Sequence, residues 1–298
     1  MTRKEYERRE NAVRYAFVDK NQDKAFDFIL QIMDINANDI VFRFRPPREY
    51  EIDTLKEKKI FLCRPWIYKD TGDCGVIFDM VSLYRYLMLE MKPEKYGKYK
   101  GMLNKEMDEV MQQAIKAHPK YKEICDAIRN EALVACISQS YSEYMWKNYA
   151  EDSEGIYLVY NLRQLLLKKP DKLIIYPVRY VDDRKECKDI IFNASDYGMG
   201  DECYENEHRK YILSCLTKDK IPYSQDAEWR IFKDYDDLTT GEKGKKFDFD
   251  VKPIAIIMGK NIDRNPAFKQ KVMDYSKDCN VKLLQEGQNS FDANKQIL

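Results

Sequence analysis

Apolar residues recur at helical spacing in two stretches near the start of the chain, residues 2–18 and 23–35. In the second stretch, Phe26, Ile29 and Met33 fall on one helical face. The pattern predicts a pair of N-terminal helices that either pack on the main domain or contact a partner.

The next pattern is an alternation typical of a strand. In Ile40–Arg45, Phe42 and Phe44 alternate with Arg43 and Arg45. Successive side chains of a strand point to opposite faces of its sheet. The sequence therefore predicts a strand with one aromatic face and one doubly cationic face.

Further helices and strands follow in mixed order. Helical patterns cover about residues 50–58, 78–91, 103–117, 119–131, 142–150, 162–168, 203–217 and 266–278. Strand patterns cover about residues 60–65, 133–138, 155–160, 173–181, 253–259 and 281–285, a further buried strand opens within 225–232, and 239–245 is predicted to be a hairpin turn. Because strands and helices do not alternate regularly, the sequence predicts an α+β fold and not a doubly wound parallel sheet.

The predicted elements divide the chain into three parts. We expect residues 1–37 to form an N-terminal helical segment and residues 38–286 to form a single α+β domain. That domain would contain a helical insertion at about residues 76–132, and residues 287–298 would be a loose tail.

Composition narrows the class of protein. The 298 residues are 44% hydrophobic and 13% aromatic, which is ample for a sizeable core, and 51 Lys and Arg balance 51 Asp and Glu. No global charge favours nucleic acid or a membrane surface, although a local basic patch remains possible. No stretch approaches the ~18 apolar residues of a membrane-spanning helix, and the first residues lack the apolar region of a signal peptide. We therefore expect an intracellular, cytoplasmic protein with no membrane partner.

Cysteine usage agrees with that expectation. The eight cysteines include no CxxC pair, most lie in apolar runs, and the chain has only two histidines. Buried, reduced thiols are therefore predicted, and no metal site is expected.

The stretch 225–232 carries the most informative charged residues. If it forms a pleated strand, Glu228 and Arg230 share one face, while Trp229 and Ile231 point to the other. The carboxylate and the guanidinium are then either a structural ion pair or part of an active site, and the residues alone leave both interpretations open.

Two other stretches suit an anionic ligand that contains a ring. Arg43 and Arg45 on one strand face could bind a pyrophosphate or a carboxylate through bidentate hydrogen bonds, or they could protect an exposed edge strand. Trp146 and Tyr149 could stack on a ring, or they could pack the helix that carries them. The sequence lacks a P-loop, a Gly-x-Ser-x-Gly elbow and a His-Glu-x-x-His motif.

Several of these stretches together resemble a bacterial family catalogued as domain of unknown function twenty-nine seventy-one. The resemblance spans about residues 40–260. It is carried by Phe42-Arg43-Phe44, by Cys63-Arg64-Pro65 with the loop Tyr68–Asp73, by Met145-Trp-Lys-Asn-Tyr-Ala150 with Gly155, and by Glu228-Trp229-Arg230. The middle and closing motifs are fairly specific, whereas the loop at 68–73 departs from the Asn-Asp-Pro pattern of the family.

The order of these motifs also resembles, more distantly, the Arg-Ser-Glu branch of the ADP-ribosyltransferase superfamily. The resemblance implies a mixed, mainly antiparallel split sheet and NAD as the substrate. It implies that Arg43, with Arg45 as second choice, grips NAD, and that Cys63 stands where the family has a serine. Glu228 would be the catalytic carboxylate, Trp146 or Tyr149 would border a ring, and Arg230 would orient or neutralise Glu228.

These resemblances lead to one main functional expectation and two alternatives. The main one is an ADP-ribosyltransferase that cleaves the nicotinamide–ribose bond, as a toxin or an antiviral defence effector, and modifies a protein or a nucleic acid. The first alternative is a non-catalytic module in which Arg43 and Arg45 bind an anionic ligand or nucleic acid. The second is an interaction protein whose residues 1–35 dock an antitoxin or another partner.

Overall fold

The computed structural model describes residues 1–36, 39–68, 72–84, 109–117, 119–129, 132–168, 173–193, 201–234 and 242–286. Its helices are α1 (Arg3–Phe17), α2 (Gln22–Asn36), α3 (Glu49–Lys56), α4 (Glu109–Lys116), α5 (Pro119–Arg129), α6 (Glu143–Tyr149), α7 (Leu162–Lys168), α8 (Asp201–Cys215) and α9 (Pro266–Asp278). Polar side chains cap the N-termini of several helices. At the start of α6, the Ser142 hydroxyl accepts a hydrogen bond from the Met145 N–H.

The strands are β1 (Ile40–Arg45), β2 (Lys59–Cys63), β3 (Ile77–Phe78), β4 (Ala132–Ser138), β5 (Ile156–Asn161), β6 (Ile174–Pro177), β7 (Arg179–Val181), β8 (Ile191–Phe192), β9 (Thr217–Asp219), β10 (Glu228–Asp234), β11 (Gly244–Asp248), β12 (Ala255–Met258) and β13 (Lys282–Gln285). The predicted α+β class is confirmed: the main sheet is antiparallel except for the parallel pair β12–β13.

Strand β4 is the branch point of the main sheet. One of its edges pairs with β10 along its whole length, and β10 in turn pairs with β6. The other edge is shared, because Ser138 pairs with Phe42 of β1 while Val134 pairs with Cys63 of β2. Beyond β1 the sheet continues through β5, β12 and β13, and beyond β2 it ends at β11. The sheet therefore forks at β4.

The two faces of this sheet carry different side chains. Trp229 and Ile231 point into the largest hydrophobic cluster, as their alternation predicts, together with Val41 and Leu158. Phe42 and Phe44 lie on the opposite face in a second cluster with Trp146. Paired residues of neighbouring strands share a face, so the pairs Phe42–Ser138 and Ser138–Glu228 place Glu228 on the face of these phenylalanines.

The N-terminal helices are part of the core. Ala12 of α1 and Ile29, Ile32 and Met33 of α2 belong to the largest hydrophobic cluster. Arg9 of α1 is fully buried. Residues 1–36 thus pack on the rest of the chain, which is the first of the two arrangements that the helical pattern allowed.

Two details of the predicted elements are wrong. The stretch 173–181 is not one strand: Pro177 has no N–H to donate, and the chain changes partner there from β10 to β9. The segment 239–245 does not connect a hairpin, because β10 pairs with β4 and β6 while β11 pairs with β2. The predicted helix at 78–91 lies largely outside the described residues, as does the tail at 287–298.

Within the described part, none of the helices combines the length and the apolar content needed to cross a bilayer.

Candidate functional site

The start of β10 is fixed from three directions. A short turn at Ser224–Asp226 ends at Ala227, whose left-handed backbone (φ 42°) turns the chain into the strand. The Glu228 N–H donates to the Tyr180 hydroxyl at 2.9 Å, and the Glu228 carbonyl accepts from the Arg9 guanidinium at 2.9 Å. The Arg9 guanidinium also lies over the Trp229 ring, 5.6 Å from its centroid. Helix α1 therefore holds the backbone from which the Glu228 carboxylate projects.

Glu228 belongs to a group of four charged side chains, which we call the Glu228 cluster: the buried Lys218, Glu228 and Arg230 and the partly buried Asp73. The Glu228 Oε1 accepts from the Arg230 Nε at 2.7 Å, and the Oε2 accepts from the Lys218 Nζ at 2.6 Å. The Asp73 Oδ1 accepts from the Arg230 Nη2 at 2.5 Å, and its Oδ2 lies 3.4 Å from the Lys218 Nζ. Each carboxylate thus contacts both cations.

The charges of the cluster set each other's ionisation. Burial raises the pKa of Glu228, but Arg230 and Lys218 outweigh that effect and hold the pKa below its ordinary value. The same two cations overcome burial at Asp73 and lower its pKa. Burial lowers the pKa of Lys218, and the two carboxylates outweigh it and raise that pKa well above its usual range. At neutral pH all four groups are therefore charged, and the cluster has no net charge.

Arg230 is the most heavily bonded member. Besides the two carboxylates, its Nη1 donates to the Cys74 Sγ at 2.7 Å and to the Cys215 carbonyl. It is fully buried. The predicted pairing of Glu228 with Arg230 is present, and the pair lies in a closed network instead of on an exposed strand.

Asp226 lies beside the cluster, but its pKa is displaced in the opposite direction from that of Glu228. Its side chain is buried, and its Oδ1 has no hydrogen-bond partner within the described residues. Burial is the main influence on it; the Glu228 and Asp73 carboxylates add to that effect, Lys218 opposes it, and the pKa of Asp226 rises to about 6. Two neighbouring carboxylates therefore have pKa values displaced in opposite directions.

Two side chains near the cluster reach the surface of the protein, those of Cys136 and Tyr149. Cys136 faces the same side of the sheet as Arg230, its pairing partner, and it is exposed, although its apolar run predicts a buried thiol. Tyr149 of α6 is 45% exposed, and the charges of Asp226 and Glu228 act on its phenol, whose pKa is raised chiefly by burial. The buried Lys218 Nζ lies 5.0 Å from the centroid of the Tyr223 ring.

The structure does not bring Arg43 or Arg45 to this site. Arg43 pairs with Leu158 and so points to the face opposite Glu228, where it donates to the Phe61 carbonyl at 3.0 Å. Arg45 forms an ion pair with Glu51. Burial and the neighbouring Arg45 charge lower the pKa of Arg43 to about 10. The two guanidinium groups share a face as predicted, but both are already engaged.

Cys63 does lie on the Glu228 face, at a distance. It pairs with Val134, four residues along β4 from the Ser138 that pairs with Glu228. At about 3.3 Å per residue this separation is roughly 13 Å. The Cys63 S–H can donate to the Val134 carbonyl at 3.4 Å, and the Tyr68 hydroxyl lies 3.6 Å from the same Sγ.

Trp146 and Tyr149 play different structural roles. Trp146 is buried and stacks on Tyr157 with ring centroids 3.9 Å apart, so its ring is part of the core. Tyr149 is the more accessible of the two and borders the Glu228 cluster.

The sequence pointed to Glu228 and Arg230 but did not connect them with Lys218, Asp73 or Asp226. Asp73 ends the loop at 68–73, and Lys218 and Asp226 stand just before Glu228. Other charged residues stand close to each of them, as Asp219 and Lys220 do beside Lys218, so the charge pattern did not single them out. Among the residues that the structure describes, no His, Cys, Asp and Glu side chains are grouped as a metal site requires.

Comparison of this chain with family models, curated proteins and solved structures finds no match.

Proposed function

We propose that this chain is an ADP-ribosyltransferase-like enzyme that cleaves the nicotinamide–ribose bond of NAD at the Glu228 cluster and transfers ADP-ribose to a protein or a nucleic acid. The observation that carries the proposal is the pair of carboxylates at the start of β10. Glu228 is buried and held ionised, whereas Asp226 is buried without a partner for its Oδ1 among the described residues. Neighbouring carboxylates with opposite pKa displacements are typical of sites that divide acid–base and electrostatic roles.

The chemistry assigns one role to each carboxylate. Breaking the bond to nicotinamide leaves positive charge on the ribose, as in glycoside hydrolysis, and the nicotinamide departs as a neutral ring. The Glu228 carboxylate stabilises that charge and accepts a hydrogen bond from the ribose 2′-hydroxyl. A carboxylate can accept about four hydrogen bonds, so the bonds from Arg230 and Lys218 leave capacity for the substrate.

Asp226 takes the proton of the acceptor. A group whose pKa is about 6 is largely ionised at neutral pH and can remove a proton from the attacking hydroxyl or amine as the new bond to the ribose forms. Tyr149, which is 45% exposed beside the cluster, offers an aromatic surface to a substrate ring. In this proposal Arg230 and Lys218 orient Glu228, and Arg43 and Arg45 have no part.

Two further features support the relationship to ADP-ribosyltransferases. The sheet forks at β4, which agrees with the split sheet that the resemblance implies. Glu228 begins a central strand and Cys63 ends another strand on the same face.

The test follows nicotinamide release when purified protein is incubated with NAD and candidate acceptors. Replacing Glu228 by Gln should lower the rate by about 100-fold or more, as removal of one charge-stabilising group does elsewhere. Glu154→Gln is the matched control, because Glu154 is a carboxylate paired with Arg264 at 3.0 Å on the surface. Absence of release by the wild-type chain with every acceptor, or equal release by Glu228→Gln, would remove the proposal.

The second candidate is a non-catalytic role in which the cluster only stabilises the fold. The observation in its favour is that both Glu228 oxygens are already bonded and the four charges balance. In that case Glu228→Gln would lower stability without any effect on NAD.

A further inference from the structure

A cavity of about 300 Å³ lies beside helix α6, and none of the residues that line it belongs to the Glu228 cluster. Three parts of the chain contribute to its lining: Glu143, Trp146 and Lys147 of α6, Asp152 and Ser153 of the turn that follows, and Lys260, Asn261 and Glu286 just beyond β12 and β13. We call it the Ser153 cavity. Its volume lies at the lower end of the range for small-ligand sites.

The turn after α6 has an unusual backbone. Glu151, Asp152 and Ser153 are left-handed, with φ values of 47°, 52° and 65°, and none of the three is a glycine. Contacts with the segment after β12 hold this conformation. The Asn261 N–H donates to the Ser153 carbonyl at 3.0 Å, and the Asn261 Nδ2 donates to the Asp152 carbonyl at 2.7 Å. Non-glycine residues in such a conformation concentrate at functional sites, and two of these three line the cavity.

Two buried hydrogen-bond donors line the cavity without an acceptor. Trp146 and Ser153 are only 2% and 4% exposed. The Trp146 Nε1 has no hydrogen-bond partner among the described residues, and the Ser153 hydroxyl likewise makes no hydrogen bond to them. Burial raises the pKa of the nearby Tyr141 phenol and the indole N–H partly offsets that rise, yet the phenol does not accept a hydrogen bond from this N–H. Buried donors are costly when they lack an acceptor, and an acceptor on a ligand would satisfy both.

Charged side chains surround these donors without pairing with one another. Two of them carry ammonium groups, Lys147 and Lys260, and three carry carboxylates, Glu143, Asp152 and Glu286. Within the described part of the chain, none of the five forms an ion pair. Glu143 and Lys147 are four residues apart on α6, a spacing at which such side chains ordinarily pair. The Glu286 Oε2 accepts from the Lys260 backbone N–H at 3.0 Å, which fixes this carboxylate at the edge of the cavity. The rim therefore offers both signs of charge.

We propose that the Ser153 cavity binds a small zwitterion of the free amino acid class. The Ser153 hydroxyl and the Trp146 Nε1–H donate to its carboxylate, which the two lysines of the rim also attract. The carboxylates of Glu143 and Glu286 bind its ammonium group. A polyanion is disfavoured, because carboxylates outnumber ammonium groups three to two around the cavity.

The test is isothermal titration calorimetry of the full chain with each of the twenty common amino acids. At least one of them should bind with a Kd below about 1 mM. Analogues of the tightest binder that lack either its α-amino group or its α-carboxyl group should bind at least about tenfold more weakly, because each leaves one set of charged or donor groups of the cavity without a partner. Binding is measured without NAD, so the result is independent of the chemistry at Glu228.

The variant Ser153→Gly separates binding from folding. Glycine adopts a left-handed backbone without steric cost, so the variant should unfold at a similar or higher temperature than the wild type. Loss of the hydroxyl should nevertheless weaken amino acid binding at least about tenfold, as removal of a donor to a charged group does. The matched control is Asn280→Gly, which makes the same exchange at a left-handed residue (φ 49°) outside the cavity and should change the affinity by less than about twofold.

A second variant removes the other donor. Trp146→Phe keeps an aromatic ring against Tyr157 but lacks the Nε1–H, so it should also weaken binding at least about tenfold. Near-ultraviolet circular dichroism establishes that its core remains packed.

Each outcome bears on the proposal. Tenfold weaker binding by Ser153→Gly at unchanged stability, together with tenfold weaker binding of both truncated analogues, supports it. Failure of every amino acid to bind below about 1 mM, or equal affinities of Ser153→Gly and Asn280→Gly, would overturn it. Undiminished binding of the analogue without the α-amino group would also overturn it, in favour of a simple carboxylate.

Discussion

Removal of Arg230 is the sharpest perturbation of the Glu228 cluster. In Arg230→Met, a side chain of comparable length fills the site, but Glu228 and Asp73 lose their bonds to the guanidinium at 2.7 and 2.5 Å. Lys218 is then the remaining cation of the cluster for two buried carboxylates. Removing one partner of a buried ion pair typically costs about 3–5 kcal/mol, because the other partner stays buried and unpaired. Domains are stable by only about 5–15 kcal/mol, so a large fraction of the stability should be lost.

The penalty should depend on pH with a defined sign. In the wild-type chain Arg230 and Lys218 lower the pKa of both Glu228 and Asp73, so their contribution to stability is complete above about pH 5 and is lost as pH falls through the lowered values. Arg230→Met removes most of that contribution. The difference in unfolding free energy between the two proteins should therefore be largest near pH 7 and shrink toward pH 3.

Urea unfolding followed by tryptophan fluorescence measures this difference. The control is Arg163→Met, which removes an arginine that is 48% exposed and pairs with Asp39 at 2.9 Å, and it should cost less than about 1 kcal/mol. Adding Asp73→Asn to Arg230→Met leaves the Lys218–Glu228 pair intact and removes the excess carboxylate, so it should restore part of the loss. A loss as small as that of the control, or a penalty that does not change with pH, would refute the inference that Arg230 holds these two buried carboxylates ionised.

Two further perturbations test the surroundings of Glu228. Asp226→Asn should stabilise the chain at pH 7.5 by up to roughly 3 kcal/mol. The pKa of Asp226 is raised to about 6, so the folded wild-type chain loses stability as pH rises from about 4 through 6. Urea titrations should show no gain at pH 4, and an equal gain at pH 4 and pH 7.5 would contradict a raised pKa at Asp226. Arg9→Met should cost about 3 kcal/mol or more, because the Glu228 carbonyl, the Gln139 Oε1 and Glu5 lose a buried donor. Thermal unfolding measures the stability that Arg9→Met loses. The control is Arg3→Met, which breaks the exposed pair of Arg3 with Glu7. Equal losses in the two variants would show that helix α1 does not fix the start of β10.

The alternation of side chains was enough to predict the orientation of β10 but not the composition of its site. Glu228 and Arg230 are two residues apart, so their shared face follows from the pleat. Asp73 is separated from Arg230 by 157 positions, and only the tertiary fold brings them together. A turn and a short strand place Lys218 beside Glu228, and nothing in their local pattern specifies that contact.

The position of Arg43 shows why motifs alone could not assemble the site. Its alternation with Phe42 and Phe44 gives two faces, but not which of them meets Glu228. That choice depends on the register of β1 against β4, where Phe42 pairs with Ser138. A shift by one residue would exchange the two faces and bring Arg43 to the Glu228 side. The hydrophobic packing of Phe42 and Phe44 around Trp146 selects the observed register.

The charges on the Glu228 face bear on the kind of ligand that this face can bind. On the Glu228 face, the four charges of the cluster cancel, and Asp226 adds a negative charge once the pH exceeds about 6. A site of this kind does not attract a polyanion by its net charge, but it stabilises positive charge that develops on a bound substrate, as glycosidic cleavage requires. Any pyrophosphate of a substrate at Glu228 must therefore be bound by polar groups other than Arg43 and Arg45, whose guanidinium groups are engaged on the far side of the sheet.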